Sequence, residues 1–396
     1  ADGDKGDGEL SRGLGDVYKR HTIDRGEGGS DTITATGGVS VILGGAAGDV
    51  IDYGVGDGMV VGDDGKVTYT NGILTRIESI ETAGGDDQIT GGAQMNRVIG
   101  GVGNDTIKLG AGDNAVIGDN GQILFTTIGQ FALIETLDYQ VGGRDSVITT
   151  GGENIVLGGA DGDNIEIGPG RSTVIGDESR VTYDNGVMRR AETLEIVGGD
   201  DTITIASGTQ LVIGGDDRDS ITTGAGHSVV LGDNGFFDFD PAGKLTEAST
   251  RDHGIGENDT IVFGAGTNVI LGGDADDLLQ ASTDQSIDYV LGDNGFATFN
   301  PDKLIIEFIT TNPLIGGNDR IETRGMDDIV FGGTGNDYIH GGDGYDVLMG
   351  DHAQHLWNFP ANEKARSIFT TDAEGAGNDQ ILSLIHISEP TRQFAI

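Results

Sequence analysis

Hydrophobic positions recur along this chain with a beat of nine. In each of 24 nonapeptides the eighth place is Ile, Val or Leu, from Ile33, Ile42, Ile51 and Val60 to Ile321, Val330, Ile339 and Leu348. The nonapeptides come in fours, and the glycine pairs that open each third one, at Gly44, Gly100, Gly158, Gly214, Gly272 and Gly332, are spaced by 56, 58, 56, 58 and 60 residues. Six units follow one another, starting near 26, 82, 140, 196, 254 and 314, with a partial unit at 374. If six residues of a nonapeptide turn and three extend, side chains alternate across the strand and the eighth points inward. Two nonapeptides then close one coil. Stacked coils pair each strand with its equivalents above and below, so the pattern predicts an all-β fold: a parallel β-roll, or β-solenoid, whose core is two facing aliphatic ladders.

The first and third nonapeptides of a unit (odd) differ from the second and fourth (even). Even strands are apolar on their outward side as well, at Val41 and Leu43, Ile155 and Leu157, Leu211 and Ile213, Val269 and Leu271, Ile329 and Phe331. Odd strands present Thr32 and Thr34, Thr106 and Lys108, Arg320 and Glu322 there. An uncovered apolar stripe of that length would be an interaction or aggregation surface. Each unit also ends in an insert of roughly twenty residues opening with Gly-Asp, and "VTYTNGILT" alternates around Asn71-Gly72 as a hairpin does. The expectation is that each insert forms a hairpin or an extra coil over the even strands.

Composition narrows the functions. The 65 Asp and Glu against 23 Lys and Arg give a net charge of −42, which repels nucleic acid and anionic membranes. Apolar residues are only 36%, and 72 glycines serve tight turns with positive φ, so a thick core is not expected. There is no cysteine, which removes disulfides and thiolate metal sites, and no apolar run long enough to span a bilayer.

The acids sit in register. The sixth place of every odd nonapeptide is Asp: Asp31, Asp49, Asp87, Asp105, Asp145, Asp163, Asp201, Asp219, Asp259, Asp277, Asp319 and Asp337. The even nonapeptides carry an acid there only at Asp288, Asp328 and Asp346. Carboxylates stacked one strand apart repel unless a cation lies between them. Oxygen ligands, turn carbonyls and an absence of His or Cys from these positions favour calcium over zinc or copper. The candidate metal residues are the twelve odd-place acids with Asp328 and Asp346, both edges being acidic in the last unit.

Gly332 to His340, Gly341 to Met349 and Gly100 to Lys108 follow the pattern GGxGxDxUx, with U a large aliphatic residue. This resembles the calcium-binding nonapeptide repeats of the RTX (hemolysin-type) family of exported bacterial proteins, over residues 26–381. The resemblance implies a parallel β-roll with calcium held between neighbouring turns by the place-six Asp and turn carbonyls. It also implies a secreted or cell-surface location, reached by a type I secretion route. Ala47, Asp161, Asp217 and Ala275 depart from the glycine at place four.

The reading is a calcium-binding, calcium-folded structural or adhesive repeat segment, not an enzyme, whose cell-surface or matrix ligands would engage other regions. The alternative is the accessory roll of a secreted enzyme or toxin with its catalytic domain elsewhere. Regular inserts across six long units favour the first. No catalytic triad, phosphate loop or dinucleotide fingerprint stands up, and charged residues such as Lys108 and Glu166 break the Thr array an ice-binding face needs. His352 and His355 are expected on a solvated insert, with Trp357 packing it. Residues 1–25 fall outside the frame and read as the end of a preceding insert. Residues 382–396, "LSLIHISEPTRQFAI", abandon the glycine-rich style and resemble a translated transposase adapter used in DNA library preparation, so they are expected to be foreign to the fold.

Overall fold

A computed structural model describes residues 17–22, 28–80, 83–138, 140–194, 198–251, 253–302, 304–358, 365–371 and 375–384. Every regular element among them is a β-strand. The odd strands stack in parallel from Thr32–Thr34 through Val50–Asp52, Gln88–Thr90 and Thr106–Leu109 up to Tyr338–Asp343 and Gln380–Leu384. The even strands form a second parallel ladder from Gly38–Leu43 and Gly56–Val61 to Ile329–Phe331 and Val347–Met349. Two long strands, Thr202–Gly215 and Ser220–Asp233, run round the corner and belong to both ladders, joining them into one sheet of 23 strands. The register is strict: Ile33 lies beside Ile51, Ile51 beside Ile89, and Ile107 beside Val147, so the eighth places stack on one another.

The inserts are hairpins. Gly65–Thr70 with Ile73–Ser79, Gly121–Phe125 with Phe131–Thr136 and their four later equivalents pair edge to edge in a 13-stranded antiparallel sheet, whose first strand is Val17–His21. This sheet lies over the even ladder, giving three layers and two cores. One core holds the eighth places of both ladders, Ile51, Val60, Ile89 and Val98 among them, fully buried. The other holds outward even-strand residues such as Val61, Ile99 and Leu157 against Val67, Ile77, Ile123 and Ile134 of the hairpins. The apolar stripe is thus covered within the chain. At about 1.5–3 kcal/mol for each fully buried aliphatic side chain, this second core adds driving force that a two-ladder roll alone would lack.

Three details differ from the sequence reading. The inner core is not filled by eighth places alone: Tyr53, Leu109, Ile167, Ile205 and Phe263, each two residues after an odd eighth place, also point inward, because the strand extends one pleat further before turning. Ala47, Asp161, Asp217 and Ala275 keep the left-handed backbone that glycine adopts at Gly103 and Gly335, with φ of 79°, 62°, 65° and 66°. The departure from glycine therefore leaves the turn intact at a local cost of roughly 1 kcal/mol each. His352 and His355 are not solvated but 1% and 0% exposed. His352 occupies the corner held by Asn120, Asn234 and Asn294 in three other units and touches Thr334 through Nε2 at 3.1 Å, while His355 lies in the last hairpin opposite Phe308, beneath which the second core continues. The side chain of Trp357 and residues 385–396 lie outside the described residues, as do residues 1–16.

Candidate metal centre

Each odd-place Asp sits at the corner where a glycine turn enters an odd strand. Its main-chain N–H would meet no ladder partner there, and the next coil supplies one: Asp31 N donates to Asp49 Oδ1, Asp49 N to Asp87 Oδ1, Asp87 N to Asp105 Oδ1, and so on to Asp337 N and Asp379 Oδ1. Twelve such bonds, of 2.6 to 3.1 Å, tie thirteen acids into one column. The structure therefore brings all twelve predicted odd-place residues together. It adds Asp379, the same place in the partial unit, which the "GAGND" run from Gly375 could have revealed.

From Asp49 to Asp337 only one oxygen of each carboxylate is used. The Oδ2 atoms of Asp49, Asp87, Asp105, Asp145, Asp163, Asp201, Asp219, Asp259, Asp277, Asp319 and Asp337 are buried without a hydrogen-bond partner among the described residues. Eleven orphaned acceptors in a row are not what turn-forming aspartates leave behind. Each faces a cradle that only glycine leaves open: a Cβ at Gly62 would fall 1.9 Å from Asp87 Oδ2 and 2.4 Å from the Gly100 carbonyl oxygen. Gly118, Gly158, Gly214 and Gly272 repeat this pairing of a carboxylate oxygen with a carbonyl oxygen. Among the described residues no three His, Cys, Asp or Glu side chains converge on a point, so a cation here would draw on main-chain carbonyls as well as carboxylates. That donor set, all oxygen and irregular, suits calcium.

Burial pushes the Asp49 carboxyl up to about 6 and those of Asp87 and Asp337 to about 7. Deeper in the column Asp163 and Asp277 lie well above the ordinary range, through burial first and then the carboxylates of the coils on either side. Asp31, at the end of the column, is exposed.

The even edge solves the same problem differently. Asn96 Nδ2 donates to Asn114 Oδ1 at 2.6 Å and Asn114 Nδ2 to Asn154 Oδ1 at 2.8 Å, so an amide ladder closes on itself without a cation. The changeover comes at Asp288, whose oxygens take Asn268 Nδ2 and Ser286 Oγ. Beyond it Asp288 N donates to Asp328 Oδ1 and Asp328 N to Asp346 Oδ1, and the Oδ2 atoms of Asp328 and Asp346 are orphaned like those of the odd edge. Burial raises Asp328 to about 8, with Asp288 contributing.

A third set of acids opens the inserts and is absent from the sequence-derived candidates. Asp119 Oδ1 accepts from Gly143 N and its Oδ2 from Ala160 N, at 2.9 and 2.6 Å. Asp63, Asp177 and Asp293 repeat this with the matching turns of the following unit. With both oxygens engaged they are staples holding the glycine turns, not open ligands. The recurring Gly-Asp was the visible signal; its partners, 22 to 41 residues away, were not.

A parallel β-roll with an open carboxylate column along one edge fits a cation-binding repeat protein. Its sequence matches the family model described as RTX calcium-binding nonapeptide repeat (4 copies) over residues 25–60, 91–122, 205–236, 253–285 and 315–348. Comparison with curated proteins gives no match. Those segments are RTX calcium-binding nonapeptide repeats, and calcium is the cofactor of such repeats.

Proposed function

We propose that this segment is a calcium-folded structural stalk of a secreted or cell-surface protein, in which calcium ions lie between successive odd-edge aspartates from Asp49 to Asp337, and between Asp328 and Asp346 on the other edge. The observation that carries this is the run of eleven buried Oδ2 atoms without hydrogen-bond donors. Even about 1 kcal/mol for each unmet acceptor would match the roughly 5–15 kcal/mol of net stability that a folded domain has. Without a cation the roll can form only if the column takes up protons, and at neutral pH that cost leaves a chain of net charge −42 expanded. When bound, calcium would supply the missing positive charge. The residues of the chain do the rest: the Oδ1 acceptors fix each carboxylate, the glycines keep the cradle open, and the insert acids hold the turns. Extracellular-class sites, with Kd of roughly 10⁻⁴ to 10⁻³ M, fill outside a cell and stay unfilled in the cytosol. Folding would then follow export.

Small-angle X-ray scattering tests this reading. Thirteen stacked odd strands at about 4.8 Å make a body roughly 60 Å long. In millimolar calcium the radius of gyration should be about 20–25 Å, rising in chelator toward the roughly 70 Å of an unfolded chain of this length. A compact body in both media contradicts it.

A further inference from the structure

The outer face of the hairpin sheet carries a cavity of about 440 Å³ near its first strands, open to solvent and unrelated to the acid column. A row of side chains crosses four adjacent strands there: Lys19 lies beside Thr68, Thr68 beside Arg76, and Arg76 beside Leu124. Lys66, two residues from Thr68 on the same face, brings a third cation. On a chain with 23 basic residues among 396, three lining one cavity is a marked local excess. Glu78 neutralises only part of it, bonding Lys66 Nζ and, at 2.6 Å, Arg76 Nη1, while Lys19 has no ion-pair partner among the described residues. Thr68 Oγ1 is buried and lacks a hydrogen-bond partner there as well. A bulge in the hairpin, where the register shifts between Thr68 and Tyr69, turns Thr75 toward the same cavity, and Leu124 and Phe125 give it an apolar wall.

Cations, an unmet hydroxyl and an apolar wall in a space of this size match a small ligand with one anionic group, several hydroxyls and an apolar ring face. We propose that this cavity binds an acidic saccharide unit, its sulfate or carboxylate on Lys19 and Arg76, a ring hydroxyl on Thr68 and the ring face on Leu124. The wider field of the chain argues against a long polyanion, which would have to run alongside a net charge of −42, whereas a single anionic unit meets only the local excess.

The test is a titration of the full chain in calcium with glucose 6-sulfate, with glucose and methyl sulfate as separate arms, followed by ligand-observed and protein-observed NMR. Glucose 6-sulfate should bind with Kd of about 1 mM or tighter, and at least about tenfold more tightly than either arm. The double variant Lys19→Ala/Arg76→Ala should lose at least about tenfold in affinity, and Thr68→Val should lose less, both with unchanged circular dichroism. No binding of glucose 6-sulfate at about 10 mM overturns the proposal, as does equal binding of methyl sulfate, or binding that survives the double substitution. The calcium reading stands or falls separately, since the NMR dispersion of the chain in calcium reports folding before any sugar is added.

Discussion

Asp163→Asn should have opposite effects with and without calcium. Asp163 is 3% exposed; its Oδ1 accepts from Asp145 N at 2.7 Å and its Oδ2 is orphaned. Burial, followed by the Asp201 and Asp145 carboxylates, lifts its carboxyl well above the ordinary value of 3.8. In chelator burial and the neighbouring carboxylates therefore favour the protonated acid in the ion-free roll, a cost that the unfolded chain does not bear. Asparagine keeps the Oδ1 acceptor and needs no proton, as Asn114 and Asn154 do on the even edge. The substitution should therefore stabilise the chelated chain by about 1–3 kcal/mol. In calcium it removes a ligand. A site with Kd of 10⁻⁴ to 10⁻³ M contributes about 1.4–2.7 kcal/mol at about 10 mM calcium, and much of that should be lost. The assay is circular dichroism: osmolyte-driven folding in chelator, where the midpoint should fall, and urea unfolding in calcium, where it should also fall. Equal destabilisation in both media would mean that the acid is only a turn-former, and the reasoning would fail.

Other consequences can be checked alongside. In chelator, the raised carboxyls of Asp49, Asp87 and Asp337, at about 6 to 7 against 3.8 unfolded, make proton-linked stability complete below about pH 4 and progressively lost as pH rises to about 8. In calcium the slope should reverse, because protons compete for the same oxygens; a β signal with the same pH slope in both media would contradict this. Gly176→Ala would put a Cβ 1.7 Å from Asp201 Oδ2, and should cost about 2 kcal/mol or more in urea unfolding in calcium, while Gly29→Ala, with nothing within 4 Å, should be silent. Ala275→Gly relieves a left-handed alanine and should raise stability by about 1 kcal/mol in the same assay. Asn114→Asp breaks the amide ladder to Asn154 and should destabilise the chain by about 1–3 kcal/mol in chelator, with calcium restoring part of the loss.

The sequence made visible what repeats locally. Ile33, Ile42 and Ile51 announce the roll because strand alternation forces one residue in nine inward whatever its neighbours are. Asn71-Gly72 announces a hairpin because its turn demands two left-handed residues, and both have positive φ. Tyr53 and Phe263 were missed because the length of an odd strand is set by stacking between coils, which leaves no local mark. The staple at Asp119 was missed for a similar reason: its donors, Gly143 and Ala160, lie 24 and 41 residues on and become neighbours only when the coils stack. The place-six acids were legible as a column, but not the division of labour within each carboxylate. That one oxygen closes the backbone while the other stays open follows from the depth of the corner.

The most direct test of the central claim is far-ultraviolet circular dichroism of the chain, started in chelator and titrated with calcium, with magnesium at matched ionic strength as the control. The account predicts little β signal at the start and a cooperative gain with calcium alone. A complete β signal in chelator, or an equal gain with magnesium, would contradict it.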